Sequence, residues 1–313
     1  MPVERIKQVA VLGAGVMGHS IAQVFAQGGY PVKLFDLSSG ILERATLLIG
    51  SALDTLVEFG LIARTEIPCI LDRIQPTTEL ASAVAGADFV LEAVPEIPEV
   101  KRRLFSGLNN LCSGETILAS NTSGLDIFNL VEVNSAERVI ITHWFTPPYI
   151  VPLVEVVPGE KTSGEVTRST KKILENLGKR PVVIKKFVPA FIVNRVQNAI
   201  NKAVLEIIDN DWATPEDVDT AIKTSIGIRL PIVGAAQAMD FSGLDLINTI
   251  NLRLGVKSPF LKARVDSGYL GAKTSKGIYD YQGQSESEIL KKRDRLYLSM
   301  LKHLDKINAF QPV

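Results

Sequence analysis

The chain is poor in the residues that build disulfide and metal sites. Its 313 residues include two cysteines and three histidines. Cys69 and Cys112 lie far apart, and the absence of Cys-x-x-Cys spacing removes the usual sequence sign of a metal or redox pair. They read as buried thiols in a reducing compartment, which points to the cytoplasm, and no metal is expected. Charge of either sign is not in excess. Lys plus Arg and Asp plus Glu each number 34, for a formal net charge of zero. That argues against a global attraction to nucleic acid or to an anionic membrane. No apolar run reaches the ~20 residues that a membrane-spanning helix needs. The opening "MPVERIKQVAVLG" is charged ahead of a short apolar run and has no cleavage site, so no signal peptide is expected. The closing "NAFQPV" is neither a retention nor a peroxisomal signal. Neither nucleic acid nor membrane is an expected partner.

What is present is an ordinary globular composition, 46% hydrophobic and 22% charged, long enough for two domains. "KQVAVL", the helix "MGHSIAQVFAQGG" and "PVKLFD" make a βαβ unit. Helical spacing runs from 40 to 63 through Ile41, Leu42, Ala45, Leu48, Ile49, Ala52, Leu53 and Leu56. Strands at "ADFVLEAV", "TILASN", "RVIITHWF", "LVEVVPG" and "PVVIKK" then alternate with helices at "ELASAVAG", 98–111 and 163–178. This is the pattern of an α/β fold, a mostly parallel, doubly wound Rossmann-type sheet. From Phe191 onward strand signals almost vanish, so an all-α C-terminal domain is expected. The spacing places the boundary near 186–190, giving domains 1–187 and 188–313. "TPEDVDTAI" predicts a helix start, with Thr214 as N-cap and Pro215 in the first helical position.

"VLGAGVMG" sets Gly13, Gly15 and Gly18 in GxGxxG spacing. By itself this pattern also suits helix–strand packing. Here it follows a strand, opens a helix, and precedes a second strand that ends in Asp36. In that context the loop Gly13, Ala14, Gly15, Val16, Met17 and Gly18 would pass close to a pyrophosphate, with the helix N-terminus behind it. Asp36 would accept from the adenosine ribose hydroxyls and repel a 2′-phosphate. The following "LSSG" offers no arginine, which favours NAD over NADP. His19 reads as a helix-start residue.

A nicotinamide enzyme that oxidises an alcohol needs a base at the carbinol oxygen, because the proton leaves oxygen as hydride leaves carbon. Histidine is the usual choice. His143 ends the apolar run "RVIIT" and Glu155 follows "VPLV", both at or near strand ends, where open α/β sheets place their ligands. On the residues alone, a satisfied histidine and a surface glutamate is the plainer reading.

The chain resembles the 3-hydroxyacyl-CoA dehydrogenase family over nearly its whole length. The likeness is carried in order by "VLGAGVMGHSIAQVFAQGG", "LEAVPE", "SNTSG", "HWFTPPYIVPLVEVV", "VPAFIVNRVQNA", "TPEDVDTA", "FSGLDLI" and "KGIYDY". The resemblance implies an NAD-binding domain, a helical domain that builds a homodimer interface, and oxidation of an L-3-hydroxyacyl substrate to the 3-oxo product. It implies His143 as base, Glu155 as its orienting partner, and Ser123 and Asn194 as hydrogen-bonding active-site residues. Glu96 and Lys101 match positions at the nicotinamide-side ribose, and Lys273 matches a C-terminal lysine near the cofactor. Glu96 and Lys101 also read as an ordinary charged pair at a helix start.

Three departures stand out. Glu58 sits where a CoA-contacting lysine is usual. Thr146 of "HWFTPP" replaces a family asparagine on the nicotinamide side. "GIRLPIVGAAQ" introduces Arg229, suited to hold a substrate carboxylate. These resemble the free-hydroxy-acid branch of the family, that of L-gulonate 3-dehydrogenase, the λ-crystallin relative, and carnitine dehydrogenase. The substrate is therefore either an acyl-CoA or a free hydroxy acid. A non-catalytic, crystallin-like protein is the alternative, opposed by the joint retention of Ser123, His143, Glu155 and Asn194. A 3-hydroxyisobutyrate-type enzyme would need a catalytic lysine, for which only Lys202 offers itself.

Overall fold

A computed structural model describes residues 6–311. The chain divides into two compact units, one ending at Ala199 and the other beginning at Ile200. The change in sequence character near 187 precedes a long helix, and the division falls within that helix.

The first unit is built on eight strands: β1 (Val9–Leu12), β2 (Val32–Phe35), β3 (Ile74–Thr77), β4 (Phe89–Glu92), β5 (Ile117–Ser120), β6 (Val139–Trp144), β7 (Leu153–Pro158) and β8 (Arg180–Val183). They lie in the order β3-β2-β1-β4-β5-β6-β7-β8. Every neighbouring pair is parallel except β6 and β7, which are antiparallel. The helices of this unit are α1 (Gly18–Gln27), α2 (Ser39–Glu58), α3 (Ile67–Asp72), α4 (Leu80–Val84), α5 (Pro98–Leu111), α6 (Ile127–Leu130) and α7 (Gly164–Asn176).

Side chains alternate across a strand, and both sheet faces are covered. Val9 and Val11 of β1 join one hydrophobic cluster with Phe25, Leu34, Leu53, Phe89 and Leu91. Ala10 and Leu12 join a second cluster with Val90, Phe105, Leu118 and Ile141. That is why β1 reads as an unbroken apolar run, and β4 and β5 as apolar runs up to their last residues, Glu92 and Ser120.

Three elements of this unit escaped the sequence reading, one of them the single-turn helix α6 at "IFNL". "IPCILD" forms the short helix α3, and "IQPT" forms the edge strand β3, whose proline and exposed residues mask it. Helix α2 also stops at Glu58 rather than 63, where Gly60 takes a left-handed φ of 67°. The expectation of two buried thiols is corrected. Cys69 is exposed and Cys112 half-buried, both unpaired. Cys69 lies on α3, which buries only Ile70 against the core.

The second unit is helical, beginning within α8 (Val193–Asp209) and continuing through α9 (Pro215–Ala221), α10 (Gly227–Ser242), α11 (Leu244–Arg253), α12 (Pro259–Asp266) and α13 (Glu286–Lys306). The Thr214 hydroxyl caps α9 by accepting from the Asp217 N–H at 3.1 Å. Helix α10 is broken at Gly234, whose φ of 68° no helix permits. "KGIYDY" wraps around the buried Asp240. Its carboxylate accepts from the Ile278 N–H at 2.8 Å, the Tyr279 N–H at 2.9 Å and the Tyr281 hydroxyl at 2.9 Å. A Cβ on Gly271 or Gly277 would overlap Asp240, so the two glycines belong to this anchor.

Candidate active site

The C-terminal ends of the parallel strands gather the polar residues that the apolar strands deliver. Gly13 follows β1 with φ 99°, and a Cβ there would stand 2.6 Å from the Ala93 carbonyl oxygen. A Cβ on Gly18 would overlap the Gly13 carbonyl. These two glycines close the turn and seat α1 on the sheet. Gly15 differs, because nothing lies within 4 Å of its would-be Cβ. Its freedom is room in front of the helix terminus, so the loop fits a dinucleotide pyrophosphate. The Asp36 carboxylate accepts from the Ala14 N–H at 2.9 Å and the Ser38 N–H at 3.2 Å, fixing the acid beside the loop. His19 bonds the Gly15 carbonyl at 2.7 Å through Nδ1, a structural role at the start of α1.

The antiparallel β6–β7 pair decides the histidine. Its register sets His143 directly opposite Glu155. Directly paired residues have Cβ atoms ~5 Å apart on one face, and Nδ1 lies 2.8 Å from Glu155 Oε2. Both are buried, at 4% and 1% exposure. Glu155 Oε1 accepts from the Ile192 and Val193 N–H groups, each at 2.9 Å. Burial raises the Glu155 carboxyl, but the His143 hydrogen bond and the two backbone donors outweigh it and hold it below the usual range. An ionised carboxylate only accepts, so Nδ1 carries the proton and Nε2 presents a lone pair. Phe145 and Phe191 pack on the imidazole with centroids 4.5 and 5.3 Å away.

The loop after β5 is tied to this pair. Asn121 Oδ1 accepts from the Trp144 N–H, next to His143, at 2.9 Å. Ser123 follows two residues later, its N–H donating to Glu96 Oε1 at 2.9 Å and its carbonyl accepting from Asn194 Nδ2 at 3.3 Å. Glu96 and Lys101 are more than a surface pair. Lys101 is 1% exposed, and its Nζ lies 3.0 Å from Glu96 and 2.6 Å from the fully buried Glu92. Thr146 is exposed on the β6–β7 connection, its hydroxyl 3.0 Å from Met17 Sδ of the glycine loop. The buried Lys179 donates to the Val151 carbonyl at 3.1 Å and to the Pro148 carbonyl, holding that connection in place. Sequence reasoning missed Glu92, Asn121 and Lys179. An acid that ends the apolar run "DFVLE" was the one available signal.

Two further expected residues lie in the helical unit. Lys273 Nζ is held by both Asp245 oxygens at 2.6 and 2.7 Å. The exposed Arg229 folds back on Ser225, its Nη2 3.2 Å from the hydroxyl. Glu58 is exposed on the last turn of α2.

Residues 8–187 match the model of the 3-hydroxyacyl-CoA dehydrogenase NAD binding domain, and residues 191–281 match that of the family's C-terminal domain. The chain belongs to the 3-hydroxyacyl-CoA dehydrogenase family. It is an NAD-dependent dehydrogenase acting on a CH–OH group of a 3-hydroxyacyl-type substrate. The chain is 29% identical over 309 residues to 5-formyl-3-hydroxy-2-methylpyridine 4-carboxylate 5-dehydrogenase of Mesorhizobium japonicum, covering 96% of this chain and 99% of that one. It is 34% identical to a probable 3-hydroxybutyryl-CoA dehydrogenase of Bacillus subtilis, covering 88% of this chain and 98% of that one. The solved 3-hydroxyacyl-CoA dehydrogenase of Archaeoglobus fulgidus superposes with a TM-score of 0.80 at 29% identity, over 96% of this chain and 99% of that one.

Proposed function

We propose that the protein oxidises the secondary alcohol of a free L-3-hydroxy acid, with His143 as base. The observation that carries the chemistry is the buried Nδ1–Oε2 contact of 2.8 Å between His143 and Glu155. Nε2 takes the hydroxyl proton, and Glu155 stabilises the resulting imidazolium without moving. Bound NAD would supply the hydride acceptor for this oxidation. Ser123 and Asn194, joined at 3.3 Å, donate to the substrate oxygen or the neighbouring amide. Gly13, Ala14, Gly15, Val16, Met17, Gly18 and Asp36 hold the adenosine and pyrophosphate side. Glu96, Lys101 and Thr146 serve the nicotinamide side; for Lys273, in the helical unit, the family resemblance is the support for a cofactor role.

Two observations support the free acid over the thioester. Glu58 puts an exposed carboxylate where a CoA phosphate would meet a cation, and Arg229 offers an exposed guanidinium for a carboxylate. The Mesorhizobium relative, aligned end to end, is named for a carboxylate substrate. The Bacillus relative is named for a thioester, so the comparison also supplies the competing substrate.

The test is NADH production with L-3-hydroxybutyryl-CoA beside free L-3-hydroxybutyrate, L-carnitine and L-gulonate. Turnover of a free acid, abolished by His143→Gln with NADH binding retained, supports the reading. Turnover of the thioester alone overturns the substrate assignment. Full activity of the His143→Gln variant overturns the base.

The protein is further read as a cytoplasmic homodimer. Among the described residues no helix is long and apolar enough to cross a membrane. The helical unit leaves Leu205, Trp212, Leu246, Leu252, Leu254 and Phe260 each more than half exposed. Apolar surface of that kind is a natural seat for a second copy. A monomeric mass by light scattering at micromolar concentration would refute this.

A further inference from the structure

Parallel strands buried on both faces are normally apolar, yet β4 ends in a carboxylate. Glu92 is fully buried, between Leu12 of β1 and Ser120 of β5. Its Oε1 accepts from Lys101 Nζ at 2.6 Å and from the Val94 N–H at 2.9 Å, and its Oε2 accepts from the Ser120 hydroxyl at 2.5 Å. Lys101 comes from the first turn of α5, with its ammonium as buried as the acid. A buried ion pair is weak evidence for stability, since desolvating both charges consumes most of their attraction. Here the pair and its hydrogen bonds hold both side chains in place.

The positions it fixes lead to Ser123. Lys101 Nζ also lies 3.0 Å from Glu96 Oε2. Glu96 Oε1 accepts from the Thr122 hydroxyl at 2.5 Å and from the Ser123 N–H at 2.9 Å. The Thr122 oxygen accepts in turn from the Gly124 and Leu125 N–H groups at 3.3 and 2.9 Å. One continuous network therefore runs from the sheet interior to the backbone of the loop that presents Ser123. Lys101 is its hinge, held from below by Glu92 and holding Glu96 above.

We propose that Glu92 is a positioning residue for the dehydrogenase: with Ser120 it pins the buried Lys101 ammonium, and through Lys101 and Glu96 it sets the Ser123 loop. This rests on the reading of Ser123 as an active-site donor. Without the Glu92 charge, Lys101 is drawn toward Glu96 alone, and the carboxylate that holds Ser123 shifts with it. Ground-state binding on the adenosine side, at Asp36, lies outside the network.

The experiment compares Glu92→Gln, Lys101→Met and the double variant, with Ser120→Ala as a milder change and Glu99→Gln as control. Glu99 lies on the same helix, exposed and 3.6 Å from Arg102. Each variant is assayed for kcat, KM, and affinity for ADP, which lacks the nicotinamide-side ribose and so probes only the adenosine and phosphate side. Glu92→Gln should lower kcat about tenfold, the scale of one charge-assisted contact. Its ADP affinity should stay within about twofold. In the Lys101→Met background the same change should add less than about twofold, because coupled residues are not additive. Ser120→Ala should lower kcat in the same direction by a smaller factor, and it decides the matter if Glu92→Gln does not fold. Wild-type kcat in a folded Glu92→Gln or Ser120→Ala variant overturns the proposal. So does a Glu92→Gln loss that multiplies with that of Lys101→Met, or one matched by an equal loss of ADP affinity. An active His143→Gln enzyme would sink the base assignment and leave these outcomes readable.

Discussion

Replacing Glu155 by Gln changes few atoms and should switch the histidine off. The glutamate has two oxygens with different duties. Oε1 accepts two backbone N–H groups at 2.9 Å each, and Oε2 accepts from His143 Nδ1 at 2.8 Å. Glutamine has one acceptor oxygen for these two sites. If the oxygen faces His143, the two backbone donors face an NH2 group, and each unsatisfied buried donor costs ~1–3 kcal/mol. If the oxygen faces the backbone, the cost is one neutral hydrogen bond, ~0.5–1.5 kcal/mol. The second orientation wins. The NH2 then donates to Nδ1, which must give up its proton, and the proton moves to Nε2. A protonated Nε2 cannot accept from the alcohol. The expected loss in kcat is the ~10²–10⁴ of a positioned base, or about 2.7–5.4 kcal/mol at ~1.36 kcal/mol per tenfold. Steady-state NADH formation measures it, alongside NADH affinity by fluorescence, which should hold within about threefold. The Glu155→Gln, His143→Gln double variant should be no slower than the slower single one. A Glu155→Gln enzyme within about threefold of wild type refutes the tautomer argument.

Gly18→Ala should prevent a stable fold or lower the Tm by many degrees, because its Cβ would overlap the Gly13 carbonyl. Gly15→Ala should leave the Tm within about 2 °C, since its Cβ meets nothing, while weakening NADH binding at least tenfold; calorimetry and fluorescence titration separate the two. Asp36→Ala should raise KM for NAD about tenfold and narrow the preference over NADP, since it removes the acid that holds the Ala14 N–H at 2.9 Å; unchanged cofactor selectivity would refute its role. Glu155 lies below its unfolded value, so its contribution to stability is fully present above about pH 4.3 and is lost as pH falls through the lower folded value. Melting temperature against pH should therefore fall less steeply below pH ~4.3 for Glu155→Gln than for wild type; parallel curves would contradict the depressed value.

Much of the site was legible from one dimension because its parts are local. The glycine loop and Asp36 of the candidate site depend on backbone geometry within a few residues, as does the helix cap at Thr214 outside it. His143 and Glu155 could be named as candidates because each follows an apolar run and the family likeness falls on both. The edge strand β3 was not legible, because "IQPT" lacks both a proline-free run and a buried face. Nor was Cys69, whose exposure depends on which side of α3 meets the core.

By itself the sequence determined an alternating α/β half, a helical half and a dinucleotide loop, because periodicity and turn chemistry act over short separations. Only the tertiary structure decided that β7 runs antiparallel to β6. In that register, with side chains alternating faces, Glu155 stands opposite His143, and a slip of one residue would point it to the other face. Only the tertiary structure joined Glu92, Lys101, Ser120 and Glu96 into one buried network, because strands and a helix distant in the chain supply its charges.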